Sequence, residues 1–233
     1  ADMSDVAWKL VAMNLSDLAS KGAEPIGALL GVSLGKDDAK FLSGLREALG
    51  VYNLPLLGGD TISMTGASTF GITALGRATH SPVPSRTGAQ AGDGIFVTGT
   101  LGCALLGFEG HRQHLDAFNR PQPRLDEGRA LAPYVSAMMD ISDGLLLDGW
   151  RMASASEVSF RLNPELIPVA DSDRLEDCIR WGDDYELLFT ADPEATLPVP
   201  ATQIGKVEPA KEAPIFLGGT SFPKPETLGY RHV

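Results

Sequence analysis

The stretch MMDISDGLLLDG places Asp140, Asp143 and Asp148 in a segment that is otherwise almost wholly apolar. A carboxylate taken out of water is costly unless it is paired, hydrogen-bonded or metal-bound, so acids beside a hydrophobic run call for a cation. Three other places set Asp where a strand or helix opens into a loop: NLSD with Asp17, GGDT with Asp60, and WGDDYE with Asp183 and Asp184. Loops on a rigid scaffold are where functional groups concentrate. Dispersed carboxylates with hardly a His or Cys among them suit Mg2+, a hard cation held by one or two carboxylates plus substrate phosphates, and do not suit zinc. Gly58 and Gly59 let the backbone before Asp60 approach a phosphate, and Arg86 and Arg120 stand in loops where a guanidinium can clamp phosphate oxygens. Each residue also has a plainer reading. Gly-Gly-Asp is a good turn, Asp17 can cap its neighbourhood, and a loop Arg is more often simply solvated. Ser142 lacks the G-x-S-x-G context of a nucleophile, and His111 and His114 share a helical face with no third ligand nearby.

The elements that must position these acids follow from hydrophobic spacing. DVAWKLVAMNLSDLASKG carries apolar residues at helical intervals and stops at Gly22 and Pro25; GALLGVSL then reads as a strand. Asp37 and Asp38 are placed to cap a helix through AKFLSGLREALGVY, and LPLLGGD and STFGITALGRA read as strands. The Pro-, Gly-, Ser- and Thr-rich THSPVPSRTGAQAGD is a linker. Beyond it, GIFVTG, MMDIS, VSFRL, YELLFTA, ATQIGKV and APIFLG read as strands. ALAPYVSAM, DGLLLDGWRMASAS and DRLEDCIRW read as helices. This predicts two α+β domains.

With 233 residues, 43% of them hydrophobic, the chain can bury a real core. A formal charge of −11, with no stretch that gathers Lys and Arg into a basic patch, argues against electrostatic binding to nucleic acid or to an anionic membrane. No run is long enough to span a bilayer. Cys103 and Cys178 stand alone without C-x-x-C spacing, which fits a reducing cytoplasm. The first residues show no signal peptide and no initiator Met, which suggests a start inside a longer protein.

AMNLSDLASKGAEP, LLGGDT, RTGAQAGDGIFVTGTLG, RPQPRLDEG, MMDISDGL and GDDYELLFT occur in the order and at about the spacing of the thiamine-monophosphate kinase family, within the PurM-like ATP-binding superfamily. The resemblance spans essentially the whole chain. Single pieces are shared loosely with selenophosphate synthetase, AIR synthetase and the hydrogenase maturation protein HypE. It implies a PurM-like α+β fold, with a dimerising α+β domain over 1–84 followed by an α/β domain over 85–233. It also implies direct transfer of the γ-phosphate of ATP to thiamine monophosphate, giving thiamine diphosphate, in a homodimer that uses several Mg2+ ions. Carried over by motif, Asp17, Asp60, Asp140 and Asp143 would hold metal, and Gly59, Asp60, Arg86 and Ser142 would contact the nucleotide. Asp183 and Tyr230 would contact the acceptor. WGDDYEL departs from the family's GGEDYEL at Trp181 and Asp183, and the family's N-terminal segment, with further metal ligands, does not match anything in this sequence. Two other readings remain: a PurM-like enzyme with a different acceptor, and a homologue that binds nucleotide without turnover.

Overall fold

The structure, a computed structural model, describes residues 2–33, 35, 38–62, 66 and 68–230. Asp37, read above as a helix cap, lies outside the described residues. Helix α1 (Met3–Ala19) starts at Asp2, whose side chain accepts from the Ser4 amide, and buries Ala7, Trp8, Val11, Ala12 and Leu15 along one face. It turns at Gly22 (φ +57°) into β1 (Ala23–Ser33). Helix α2 (Asp38–Val51), β2 (Leu56–Ile62) and β3 (Phe70–Ala78) complete this part. The three strands form a sheet ordered β2-β1-β3, with β2 parallel and β3 antiparallel to β1. One side of this sheet is covered by α1 and α2, which approach so closely at Gly44 that a Cβ there would meet the Ser4 carbonyl at 2.1 Å. The other side and the β2 edge leave Ile26, Leu29, Leu56, Leu57 and Leu75 exposed.

After the linker, β4 (Gly94–Val97), β5 (Val135–Asp140), β6 (Val158–Leu162), β7 (Leu187–Ala191), β8 (Thr202–Pro209), β9 (Ile215–Leu217) and β10 (Thr220–Phe222) form a second sheet ordered β10-β9-β6-β8-β4-β7-β5. Its pairings are antiparallel except β6 with β9. Helices α3 (Cys103–Phe108), α4 (Leu115–Asn119), α5 (Leu125–Leu131), α6 (Leu145–Ala155) and α7 (Leu175–Trp181) accompany it. The helix expected over ALAPYVSAM is not there. The chain leaves α5 at Leu131, turns through Pro133 and enters β5 at Val135, whose Ala137 to Asp140 are all buried. Proline ends the helix, and a short apolar run buried on both faces suits a strand.

The two sheets have separate cores, and a third cluster joins them: Ala19 of α1 packs with Phe96, Leu131, Met138 and Phe189. Gly128 of α5 lies so near α1 that a Cβ would meet the Ala19 carbonyl at 2.0 Å. This close docking brings the last turns of α1 against the end of β5, and so brings Asp17 toward Asp140.

Candidate active site

Between the two parts lies a cavity of about 630 Å³ with two unlike ends. At one end stand Asp17, Asp140, Ser142 and Asp143. Asp140, the last residue of β5, is buried and accepts a 2.7 Å hydrogen bond from Ser16 Oγ of α1. Burial, and then the charge of Asp17, push its carboxyl up to about 6 against the lowering effect of that hydrogen bond. The carboxyl of Asp17 is also raised, by crowding against the protein, although the charges of Lys21 and Arg86 oppose the shift. Asp143 pairs with Arg151 at 2.5 Å.

The loop carrying Ser142 and Asp143 is fastened from beneath by Asp148. This side chain is wholly buried on the first turn of α6. Its Oδ2 accepts from the amides of Ser142 (3.0 Å) and Asp143 (2.9 Å), and its Oδ1 accepts from Arg151 at 2.8 Å. Burial nonetheless raises its carboxyl to about 7. Gly144 (φ +108°) makes the turn into α6, where a Cβ would strike the Arg180 carbonyl.

The other end of the cavity is aromatic. Phe108, Phe118, Trp181 and Tyr230 line it, with Phe108 5.4 Å from Phe118 and 4.8 Å from Trp181 between ring centroids. Asp183 lies beside them, accepting from Tyr185 Oη at 2.9 Å and paired with Lys9 Nζ of α1 at 2.7 Å. The last described stretch is tied to the acidic end, because the Tyr230 amide donates to the Asp143 carbonyl at 3.0 Å.

Of the residues singled out from sequence, Asp17, Asp140, Ser142, Asp143, Asp183 and Tyr230 line this one cavity. Arg86 does not line it, but its charge reaches Asp17 and Lys21. Gly59 and Asp60 stand apart. Asp60 pairs with Gly31, eight residues along β1 from Ala23, so about 26 Å of strand separates it from the turn that follows Asp17. Gly59 (φ +153°) lies so close to β1 that a Cβ would meet the Leu30 carbonyl at 1.9 Å. Asp184 turns away from the cavity and accepts from the Gly102 amide at 2.9 Å. His111 is exposed beside a short turn of 3-10 helix, not on an α-helical face. Phe108, Phe118 and Lys9 escaped the sequence reading. The aromatics come from segments far apart in sequence, and the one available signal was that Lys9, Met13 and Asp17 recur every fourth residue on α1.

Among the described residues no three acidic, His or Cys groups stand close enough to enclose a metal by themselves. The donors present still fit Mg2+: they are carboxylate and hydroxyl oxygens, two of the carboxylates crowd each other, and this ion takes its remaining ligands from phosphates and water.

Two docked α+β units with a cleft between them define the class. The family AIR synthase related protein, N-terminal domain, matches residues 1–78, and AIR synthase related protein, C-terminal domain, matches residues 90–215. The thiamine-monophosphate kinase of Rhodopirellula baltica is 36% identical over 88% of this chain and 69% of its own length. That of Escherichia coli K12 is 34% identical over 99% and 81%. The solved structure of AaThiL complexed with AMPPCP and TMP superposes with a TM-score of 0.88 at 28% identity, covering 100% of this chain and 82% of that one. The chain belongs to the thiamine-monophosphate kinase family.

Proposed function

We propose that the chain is an ATP-dependent kinase that transfers the γ-phosphoryl group of ATP to the phosphate of thiamine monophosphate, giving thiamine diphosphate in thiamine diphosphate biosynthesis. The observation that carries this reading is the two-ended cleft: carboxylates at one end for a metal-bound phosphate, aromatic rings at the other for a heteroaromatic acceptor. Asp17, Asp140 and Asp143 hold Mg2+ at the acidic end, and Ser142 and Arg86 contact the nucleotide phosphates. Asp183 and Tyr230 meet the acceptor. Bound Mg2+ supplies charge neutralisation between two anionic reactants, which is most of what phosphoryl transfer needs beyond alignment. The chain itself aligns. Asp148 sets the backbone of Ser142 and Asp143, Ser16 orients Asp140, and the rings of Phe108, Phe118 and Trp181 hold the acceptor so that its phosphate faces the acids. No side chain is assigned a covalent role.

Ile26, Leu29, Leu56, Leu57 and Leu75 are large apolar side chains left exposed on one sheet, and we assign this face to a homodimer made by residues 1–84. Gly59 and Asp60 lie on that edge, where they serve a nucleotide-binding surface completed by the pairing. Both cysteines are free, which supports a cytoplasmic setting. No helix among the described residues is long and apolar enough to cross a membrane.

Incubating the purified protein with ATP, Mg2+ and thiamine monophosphate tests the reading, with phosphorus NMR following ADP and thiamine diphosphate. Equal, Mg2+-dependent accumulation of both is expected. MgATP binding without transfer to this acceptor would overturn it in favour of a non-catalytic homologue or another acceptor.

A further inference from the structure

Lys9 has no part in the reading above, yet it occupies an unusual place. On α1 it precedes Met13 and Asp17 by one and two turns, on the stripe that faces the cleft. Its Nζ is 2.7 Å from Asp183 Oδ2 and 4.0 Å from the centroid of the Phe118 ring. The side chain is only 19% exposed. An ammonium largely withdrawn from water, paired with a carboxylate and capped by an aromatic face, is a fixed part and not a mobile surface charge.

What it fixes is strained. Gly182 (φ +90°), Asp183 (φ +59°) and Tyr185 (φ +53°) all have left-handed backbone, which for the two non-glycine residues costs about 1 kcal/mol or more each. Such a conformation persists only when its surroundings hold it. Tyr185 Oη donates to Asp183 Oδ1 from within the same loop, and Lys9 holds Oδ2 from the other part of the molecule. A carboxylate accepts about four hydrogen bonds, so with one taken at each oxygen Asp183 retains acceptor capacity on the cavity wall, beside Phe108, Phe118 and Trp181, which offer none.

We propose that Lys9 is a positioning residue that sets the acceptor specificity of the cleft: it pins the Asp183 carboxylate to accept a hydrogen bond from an amino group on the edge of the acceptor's heteroaromatic ring. The inference rests on the kinase reading, since thiamine monophosphate carries one such amino group. Ring faces find Phe108, Phe118 and Trp181; the polar ring edge finds the Asp183 carboxylate, which Lys9 holds beside Phe118. Lys9 does not reach for the acceptor phosphate, because its charge is already spent on Asp183 and Phe118.

The test compares Lys9→Met with the parent enzyme on thiamine monophosphate and on the analogue whose ring amino group is replaced by a carbonyl. The parent should prefer the amino acceptor by about 10- to 100-fold in kcat/KM, the range for a charge-assisted hydrogen bond lost. Lys9→Met should raise KM for thiamine monophosphate about tenfold, leave kcat and KM for MgATP within about twofold, and largely abolish the preference. Lys9→Arg, which keeps both the charge and the ring contact, should stay within about threefold of the parent. Unchanged preference in Lys9→Met, an equal loss with both acceptors, or a Lys9→Arg as impaired as Lys9→Met would each overturn the proposal and leave the kinase reading intact. Should Lys9→Met not fold, Asp183→Gly removes the acceptor oxygens at a position whose positive φ suits glycine, and a preserved preference there overturns the proposal equally. A parent enzyme that makes no thiamine diphosphate refutes the kinase reading, and the proposal with it.

Discussion

Asp148 makes the stability of the chain fall with rising pH, and by a predictable amount. Unfolded, its carboxyl titrates near 3.8; in the fold, burial moves it to about 7. Between those values the folded chain keeps a proton that the unfolded chain has released. Stability therefore falls as pH rises through that window and levels off above it. A separation of about three units corresponds to about 4 kcal/mol. The side chain is wholly buried, so solvent screening takes little from this figure. Asp148→Asn keeps the volume and one oxygen for the Ser142 and Asp143 amides but cannot titrate. The variant should gain about 4 kcal/mol relative to the parent between pH 4 and pH 8, equivalent to a relative Tm shift of about 8–16 °C for a chain of this size. Asp140, raised to about 6, adds a slope in the same direction to both proteins. Calorimetric melts across that range with EDTA present measure the difference. Parallel curves for the two proteins would refute the burial argument for Asp148.

Asp60→Asn should weaken MgATP binding about tenfold by calorimetry with little change in Tm, since Asp60 is exposed and unchanged affinity would remove it from the nucleotide site. Leu57→Glu places a charge in the exposed apolar patch and should convert a dimer to monomer in sedimentation at micromolar concentration; a parent that is already monomeric would end the dimer proposal. Trp181→Ala removes a ring from the aromatic end of the cavity and, on the proposed reading, should raise KM for thiamine monophosphate about tenfold while leaving that for MgATP within about twofold, as initial-rate kinetics will show.

Much of the acidic end was legible in the sequence because each acid sat in a short motif whose neighbours defined a strand end or a turn. Asp140 closes β5 and Asp143 precedes the glycine that opens α6, so local pattern located both. The motif around Asp60 was equally plain, but its distance from Asp17 was not, since that depends on β2 pairing in parallel with β1. Register is a tertiary fact. The helix expected over ALAPYVSAM failed for the opposite reason: a short apolar run has no period to separate helix from strand, and Pro133 carried more weight than the residues around it. The aromatic end was hidden because its rings come from α3, α4, the end of α7 and the chain near Tyr230, and no window holds more than one or two of them. Lys9 was hidden differently. Read alone it is an ordinary helix-surface lysine, and only Asp183, supplied by the other part of the molecule, gives it a task.

Helix α1 also acts as a ruler. Lys9 and Asp17 stand eight residues apart on one stripe, and at about 1.5 Å per residue their attachment points lie about 12 Å apart. One marks the aromatic end of the cleft and the other the acidic end. On the proposed reading, the ring-to-phosphate span that the cleft accepts is then written into backbone geometry that point substitutions do not stretch. Exchanging side chains can change which ring is held or how firmly, but a longer or shorter acceptor needs residues inserted into or removed from the helix. A single inserted residue would turn Asp17 about 100° off the stripe before it lengthened the ruler by 1.5 Å, and so close that evolutionary route.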